Sequence, residues 1–486
     1  MSSRTLRYVG AAALLGATLA VTAIAATQGR AASVTAADAY EPDNSAGSAK
    51  VVPVDTVRTF STATDADWVR VTASRAGQKW VIETLPLSGD SLNTHVTVYR
   101  RNADGSVTAV DGNDDHPIFP DTLASGLVFT AQAPGTYYVV ARPAVSGAVG
   151  SYRLSIAPGI VRRLSGANRY AVAAEVSRLA WSNAGLTGWG NVNGPASVVV
   201  AGGTDVNGAL AGSALAAANG TTLLLTPSST LAPETRAEIS RLGRVRRLAG
   251  QRVTVYVVGT TSTVASGVEA SLRAIPEVGR VVRLAGADSY GTATRVAAEM
   301  KATAGISDTA FLVSSTAWAD AIGAVPVAAT AGAPVLFTAP ADLPSNTRNA
   351  LVSLGIRKVV IVGGTSSVSP AVAAQVAAIT GSAPIRLGGS TRYSTARLVA
   401  EYGVSAYGMD PRGVVVASGQ NYPDALAAGP LSWWTGTPVL LTPSTTLSPD
   451  VTRFIDAHRP RVLPGYVIGG PSSVSEPVMR ALAERY

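Results

Sequence analysis

The sequence contains no cysteine. That excludes a disulfide framework, a thiol nucleophile, a cysteine-ligated metal and a lipidated N-terminal cysteine. Charge is scarce, at 14% of residues against 47% hydrophobic, so a disordered chain is excluded and folded cores are expected. Histidine occurs only at His95, His116 and His458. None lies in an HExxH pattern or in a Ser-His-Asp order with a nucleophile elbow, so a hydrolytic triad is poorly supported. A G-x-G-x-x-G with its downstream acid is absent, as is G-K-S/T, which argues against nucleotide binding. Past the first residues no segment is apolar for long enough to cross a bilayer. No sorting motif is recognised among the last residues.

The N-terminal residues read as an export signal. Arg4 and Arg7 are followed by an apolar stretch from Tyr8 to about Thr27, with Ala-Ile-Ala at 23–25 as a cleavage site. An uncleaved anchor is the alternative, which the many small residues disfavour. The net charge of +8 is unevenly placed. Residues 33–160 carry 9 Lys/Arg against 13 Asp/Glu, and residues 161–486 carry 27 against 18. Arginine dominates the basic part, and guanidinium suits carboxylate or phosphate. For an exported chain the simplest partner is an anionic envelope polymer. Nucleic acid is not expected, because no nucleic-acid motif accompanies the charge.

What is present is a threefold repeat. RLSGANRY at 163–170 returns as RLAGADSY at 283–290 and RLGGSTRY at 386–393. Each copy leads into an apolar run (VVVAGG from Val198, FLVSS from Phe311, VVVASG from Val414), a run ending in Thr (LLLTP, PVLFT, PVLLTP) and a run ending in small residues (VYVVGTTSTV, VVIVGGTSSV, YVIGGPSSV). Apolar runs alternating with helix-like spacing imply parallel strands covered on both faces. Helix starts are marked at Ser448-Pro449-Asp450, Ser369-Pro370 and Ala232-Pro233-Glu234. The copies begin 120 and then 103 residues apart, so the first carries an insertion, assigned to 181–194. Three similar surfaces on one chain are the logic of a multivalent binder.

Residues 33–50 read as a flexible lead-in. Residues 51–157 alternate in short runs separated by turn residues, which predicts an all-β sandwich or jelly roll. Its stretches EPDNS, DADWVRV, THVTVYRRNADG, DGNDDH, GTYYVVARP and GSYRLSI resemble the bacterial pre-peptidase C-terminal domain. That resemblance implies a non-catalytic accessory module. The repeats resemble the cell wall binding repeat 2 family, best in the third copy, with ASGQNYPDALAAGP at 417–430 and VIGGPSSVS at 467–475. This resemblance implies three Rossmann-like α/β units, at 161–280, 281–384 and 385–486, in a pseudo-threefold arrangement. It also implies non-covalent attachment to an anionic cell-wall polymer or peptidoglycan.

The candidate polymer contacts are Arg163, Arg169, Arg283, Arg386 and Arg392, with Asn421, Asp320 and Asp424. For the arginines the competing reading is a salt bridge that fixes packing between repeats. For the two aspartates it is helix-start capping, because no second carboxylate recurs beside them for acid–base work. The copies diverge here: Asp424 and Asp320 correspond to Gly208, and Arg392 and Arg169 to Ser289. The turns Gly202-Gly203, Gly363-Gly364 and Gly469-Gly470 offer backbone N–H groups to an anion or simply permit close packing. Asp111, Asp114 and Asp115, with Asp65 and Asp67, are candidate Ca²⁺ ligands, against an ordinary polar turn. Trp68 and Trp80 are assigned to the sandwich core, and Trp433 and Trp434 to packing between repeats. No cofactor is otherwise expected. The expected function is an exported, non-enzymatic wall binder. The alternatives are a wall hydrolase or peptidase, and a surface adhesin whose β region binds the ligand.

Overall fold

The computed structural model describes residues 37–486 except 53–54, 63, 87–91, 115–124, 146–147, 159–160, 182–184, 187–191 and 459–463. The expected export signal lies outside the described residues.

Residues 55–158 form eight strands, β1 (Asp55–Phe60), β2 (Asp67–Ala73), β3 (Lys79–Pro86), β4 (Thr94–Arg101), β5 (Val107–Asn113), β6 (Gly126–Thr130), β7 (Gly135–Pro143) and β8 (Gly150–Pro158). They pair antiparallel into two four-stranded sheets, ordered β1-β8-β3-β6 and β2-β7-β4-β5. Strand alternation sends Phe60, Ile82 and Leu154 from one sheet and Val69, Val98 and Val139 from the other into one shared core. Trp80 joins that core, stacked on Phe129 at 5.9 Å. Trp68 does not. It sits half-buried on the outer face of its sheet, stacked on Tyr99 at 5.2 Å, because its neighbour Val69 takes the inward position.

Residues 37–50 are not a free lead-in. The Trp68 N–H donates to Asp43 O (3.1 Å) and the Arg70 N–H to Lys50 O (2.7 Å), so the segment lies along β2. The cause is electrostatic, because Asp38 and Asp43 both reach the buried guanidinium of Arg58.

The rest of the chain is α/β. The first cassette contributes β9 (Val161–Leu164), α1 (Arg169–Ala180), a short hairpin β10 (Gly185–Leu186) and β11 (Val192–Asn193), β12 (Ser197–Gly202), α2 (Val206–Ala218), β13 (Leu223–Thr226), α3 (Pro233–Leu248), β14 (Val253–Val258) and α4 (Ser266–Arg273). The hairpin occupies the expected insertion. The second contributes β15 (Val278–Leu284), α5 (Ser289–Thr303), β16 (Thr309–Ser314), α6 (Trp318–Thr330), β17 (Val335–Thr338), α7 (Ser345–Leu354), β18 (Lys358–Val362) and α8 (Pro370–Thr380). The third contributes β19 (Ile385–Leu387), α9 (Arg392–Tyr407), β20 (Val414–Ser418), α10 (Tyr422–Ala425), α11 (Ala428–Thr435), β21 (Val439–Thr442), α12 (Pro449–Ala457), β22 (Gly465–Ile468) and α13 (Glu476–Ala483). Ser448 and Ser369 cap α12 and α8 through their side chains, each followed by proline.

Each parallel sheet has four strands, ordered β13-β12-β14-β15, β17-β16-β18-β19 and β21-β20-β22-β9. The outer strand of each is borrowed. It is the Arg-Leu strand that opens the next cassette, and the third sheet takes β9 from the first. The register is the same each time, with Arg283 opposite Val257, Arg386 opposite Ile361 and Arg163 opposite Val467. The repeats therefore form a closed ring, joined where residues 161–164 meet residues 465–468.

Helices α2, α6 and α11 pack together on the inner side of the three sheets. They are rich in Ala and Gly because they meet closely. A Cβ on Gly429 of α11 would lie 2.5 Å from Ser213 Oγ of α2 and 2.6 Å from Val325 Cγ1 of α6. The central core draws on all three cassettes, and each sheet has a second core on its outer side. Among the described residues no helix is long and apolar enough to cross a membrane.

Candidate functional site

The arginines that open the repeats are engaged by the backbone. Arg163 donates to Gly469 O and Val474 O, both at 2.8 Å, and pairs with Glu476 at 3.0 Å. Arg283 donates to Gly259 O and Val264 O, both at 2.6 Å, and pairs with Glu269. Arg386 donates to Gly363 O (3.1 Å) and Gly364 O (3.2 Å). Each guanidinium holds the turn after the third run of one cassette against the strand that begins the next. Their donors hold the ring together and do not converge on a cleft.

The clefts lie at the junctions between cassettes. One of about 290 Å³ is lined by Trp318, Asp320, Ser367, Thr391, Arg392 and Thr395, from the second and third cassettes. One of about 200 Å³ lies between the first and second, lined by Asp205, Thr263, Asp288, Ser289 and Thr292. The corresponding residues at the third junction are Asn421, Asp424, Ser473 and Arg169.

A carboxylate stands at the same place in each. A Cβ on Gly363 would lie 2.9 Å from Asp320 Oδ2, one on Gly469 2.6 Å from Asp424 Oδ2, and one on Gly259 2.9 Å from Asp205 Oδ2. All three glycines have positive φ, 117°, 106° and 113°, and a side chain there would also meet the carboxylate. Asp205 was missed in the sequence because it lies three positions before Gly208, the residue that corresponds to Asp320 and Asp424. A Cβ on Gly208 would fall on Asp205 Oδ2. The first cassette thus keeps the acid and moves its attachment point. Asp205 also caps α2, accepting from the Gly208 N–H at 2.9 Å.

Asp320 and Asp424 are not helix caps, and they form no ion pair among the described residues. Ser367 Oγ donates to Asp320 at 3.3 Å, and Ser473 donates to Asp424. Asn421 Nδ2 donates to Ser473 Oγ at 3.1 Å, which fixes that hydroxyl. Burial raises the Asp320 carboxyl above its ordinary range, against the lowering influence of Ser367, Arg392 and Thr395.

Arg392 and Arg169 sit at two of the rims. Arg392 donates to Gly419 O at 2.6 Å with its guanidinium 5.5 Å from the Trp318 ring. Arg169 donates to Gly203 O at 2.5 Å, 6.0 Å from the Tyr422 ring. Each uses one nitrogen on a carbonyl and lays its plane against an aromatic of the preceding cassette. At the junction of the first and second cassettes both partners change together, to Ser289 and Val206. Asn207 fills the lost role, donating to Ser315 O at 3.1 Å. The three junctions share an acid and a hydroxyl, and two of them add an arginine–aromatic pair.

This arrangement of repeats matches the model of the cell wall binding domain 2 (CWB2) at residues 163–269, 283–373 and 386–479, more than half of the chain. The chain belongs to the CWB2 family. Its three repeats are cell wall binding domains of that family. Over 328 residues it is 29% identical to the N-acetylmuramoyl-L-alanine amidase LytC of Bacillus subtilis, covering 68% of this chain and 59% of that protein. It is 25% identical to the amidase enhancer of the same organism, covering 67% of this chain and 41% of the relative. The chain thus spans about half the length of these curated relatives. Among solved structures, Cwp8 from Clostridium difficile aligns with a TM-score of 0.56 at 25% identity, over 67% of this chain and 51% of that one. Cwp6 from Clostridium difficile aligns at 0.58 over 86% of this chain and 68% of that one, at 17% identity, which shows the fold.

The CWB2 match leaves the β region outside it. There the expected acids are not brought together among the described residues. Asp111 and Asp114 are exposed on and beside the edge strand β5, and Asp115 lies outside the described residues. Asp65 and Asp67 are buried elsewhere. The acids that converge are Glu41, Asp43 and Asp67, whose oxygens lie within 4.8 Å of one another. Arg58 binds Asp67 at 2.9 Å and Asp38 at 3.2 Å, and also Asp43. One guanidinium shared among so many acids cannot neutralise them all. Burial pushes Asp67 up to about 7, opposed by Arg58 and Tyr152, and raises Glu41 and Asp43 as well. The sequence signal was the pairing of EPDNS with DADW, which separates these acids by about two dozen residues.

Trp433 borders the first cassette, where a Cβ on Gly220 would lie 3.5 Å from its ring. Trp434 meets Trp181 of the first cassette edge-on at 4.8 Å, so it does pack between repeats. His458 contacts Phe454 O, and His95 contacts Thr97. His116 lies outside the described residues.

Proposed function

We propose that the chain is exported, and that its junction clefts grip an anionic secondary glycan of the wall, with the three CWB2 units in a pseudo-threefold, Rossmann-like arrangement. The observation that carries this is the cleft between the second and third cassettes. Buried Asp320, with Ser367 and Thr395, offers acceptors and donors for sugar hydroxyls. Trp318 supplies an apolar ring face, and Arg392 keeps guanidinium N–H groups for a phosphate or carboxylate. Asp424, Asn421, Ser473, Tyr422 and Arg169 repeat the set at the junction of the third and first cassettes. Modest contacts repeated around one ring bind tightly by avidity.

The test is a pull-down of the purified chain on isolated walls, before and after hydrogen-fluoride extraction of phosphodiester-linked polymers. Binding lost on extraction supports the reading, and Trp318→Ala with Tyr422→Ala should then weaken it roughly tenfold or more. Binding that survives extraction unchanged would assign peptidoglycan instead.

The two antiparallel sheets support the reading of residues 51–157 as a pre-peptidase C-terminal-like sandwich, an accessory module and not a catalytic one. The adhesin alternative is tested by assaying that region's face for a ligand of its own. For the enzyme alternative, Asp320 and Asp424 are each held by a serine hydroxyl, and the cleft of Asp320 is lined by no second carboxylate among the described residues, which favours binding. A calcium ion in the β region fits Glu41, Asp43, Asp65 and Asp67 better than Asp111 and Asp114. Glu41 Oε1, Asp43 Oδ1 and Asp65 Oδ1 are buried with no hydrogen-bond partner, and hard oxygen donors of this kind suit that cation.

A further inference from the structure

The arginines that open the repeats, Arg163, Arg283 and Arg386, are spent on carbonyls and carboxylates, yet the ring remains strongly basic. The excess gathers on the outer side of the first cassette. On α3, Arg236, Arg244 and Arg247 lie at i, i+8 and i+11, one side of the helix. At 1.5 Å per residue they extend over about 16 Å. Arg236 Nη2 donates to Ser271 O at 3.3 Å, which brings the end of α4 and its Arg273 alongside. A Cβ on Gly279 would lie 2.9 Å from Arg252 Cβ, which sets Arg252 against the start of β15. All five side chains are exposed. The nearby acids Glu277 and Glu269 are already paired, the first with Arg247 at 3.6 Å and the second with Arg273 at 2.6 Å and with Arg283. Arg236, Arg244 and Arg252 form no ion pair among the described residues.

The other cassettes act as internal controls. The corresponding helix α7 carries one basic residue, Arg348, hydrogen-bonded to Gln375 at 2.7 Å. In α12 Arg453 lies 3.4 Å from Asp450, and Asp456 follows on the same helix. The fold therefore does not require this row of charge, and self-repulsion makes it a cost unless something binds there. Lysine is absent from the row, so every charge is a fork able to bind two oxygens of one phosphate. The length of the row suits a polymer with regularly repeated charge and not a single small anion.

We propose that this face is a second contact surface for the wall polymer, separate from the junction clefts, and that its occupant is a linear phosphodiester chain. The proposal rests on the wall-binding reading above. Its division of labour is that the clefts recognise sugar and the arginine face supplies salt-sensitive attraction.

The test uses the full chain and a triple variant, Arg236→Ser, Arg244→Ser and Arg252→Ser, which breaks no ion pair among the described residues. A second triple variant, Arg348→Ser, Arg453→Ser and Arg485→Ser, removes the same charge elsewhere. Both are checked by thermal melting and then bound to isolated walls and to purified poly(glycerol phosphate) across a salt series. We expect the first variant to lose about tenfold or more in affinity at moderate salt, with a log–log salt slope shallower by about two to three, and the second to change little. Equal losses in both variants, or no loss in the first, would overturn the arginine face. So would a loss on walls with none on poly(glycerol phosphate), which would replace the phosphodiester occupant. A parent chain that fails to bind walls at all would instead count against the wall-binding reading, so the two failures are distinguishable.

Discussion

At the residue scale the clearest feature is an acid that changes position while its charge stays in place. Compared position by position, Gly208 marks the first cassette as defective. Only the fold shows Asp205 reaching the same spot, because a side chain three residues earlier in the strand-to-helix turn can project into the space that Gly208 leaves empty. The two positions should therefore be coupled. Gly208→Asp alone adds a second carboxylate on top of Asp205 and should destabilise the chain by about 2 kcal/mol or more. Asp205→Asn with Gly208→Asp recreates the Asn421–Asp424 pair, and should recover at least half of that loss. Additive effects in thermal melting would show that the two sites are independent. The Asp67 cluster makes a separate prediction. Its folded value of about 7 lies above the ordinary 3.8, so the folded state holds a proton that the unfolded state releases. Stability should then fall as pH rises from about 4 to about 7, by an amount on the order of 2 kcal/mol. Asp67→Asn should flatten that slope. Calcium, if it binds, should flatten it too, by displacing the shared proton.

At the scale of elements, strands and helices were legible because their residues carry local signals. The runs VVVAGG, FLVSS and VVVASG became central strands, and Ser-Pro pairs became helix starts. What no local signal could tell was the sheet to which each Arg-Leu strand belongs. The motif opens a cassette in the sequence and closes the previous sheet in space, since pairing is decided by tertiary partners. The leucines of these strands should measure how firmly each closure is held. Leu164 is fully buried, Leu284 is 7% exposed and Leu387 is half-buried. Leu→Ala should therefore cost about 3 to 4 kcal/mol at 164, somewhat less at 284 and about 1 to 2 at 387. An inverted order in denaturant unfolding would mean that the joint between the chain's two distant ends is the loosest of the three.

At the scale of the whole molecule, the β region and the ring are joined by buried charge at the point where the ring closes. Arg162, on the strand that completes the third sheet, is 1% exposed and pairs with Glu83 of β3, itself 1% exposed. Arg153 of β8 pairs with Glu175 of α1, and Lys79 Nζ donates to the backbone O of Tyr486 at 3.3 Å. Sequence order suggested separate modules joined near residue 160, and nothing in composition hinted that the joint would be dry. A dry ion pair specifies a fit more than it stabilises one, because desolvation offsets much of the attraction. Removing one partner should then be far worse than removing both. Glu83→Gln takes the main counter-charge from a buried guanidinium and should cost about 3 to 5 kcal/mol. It should also split a single thermal transition into two, as the β region uncouples from the ring. Glu83→Leu with Arg162→Met, similar in size and without charge, should melt near the parent temperature in one transition. Should the single and double variants melt alike, the modules are held by apolar contacts, and the orientation of the β region on the ring is not fixed by this pair.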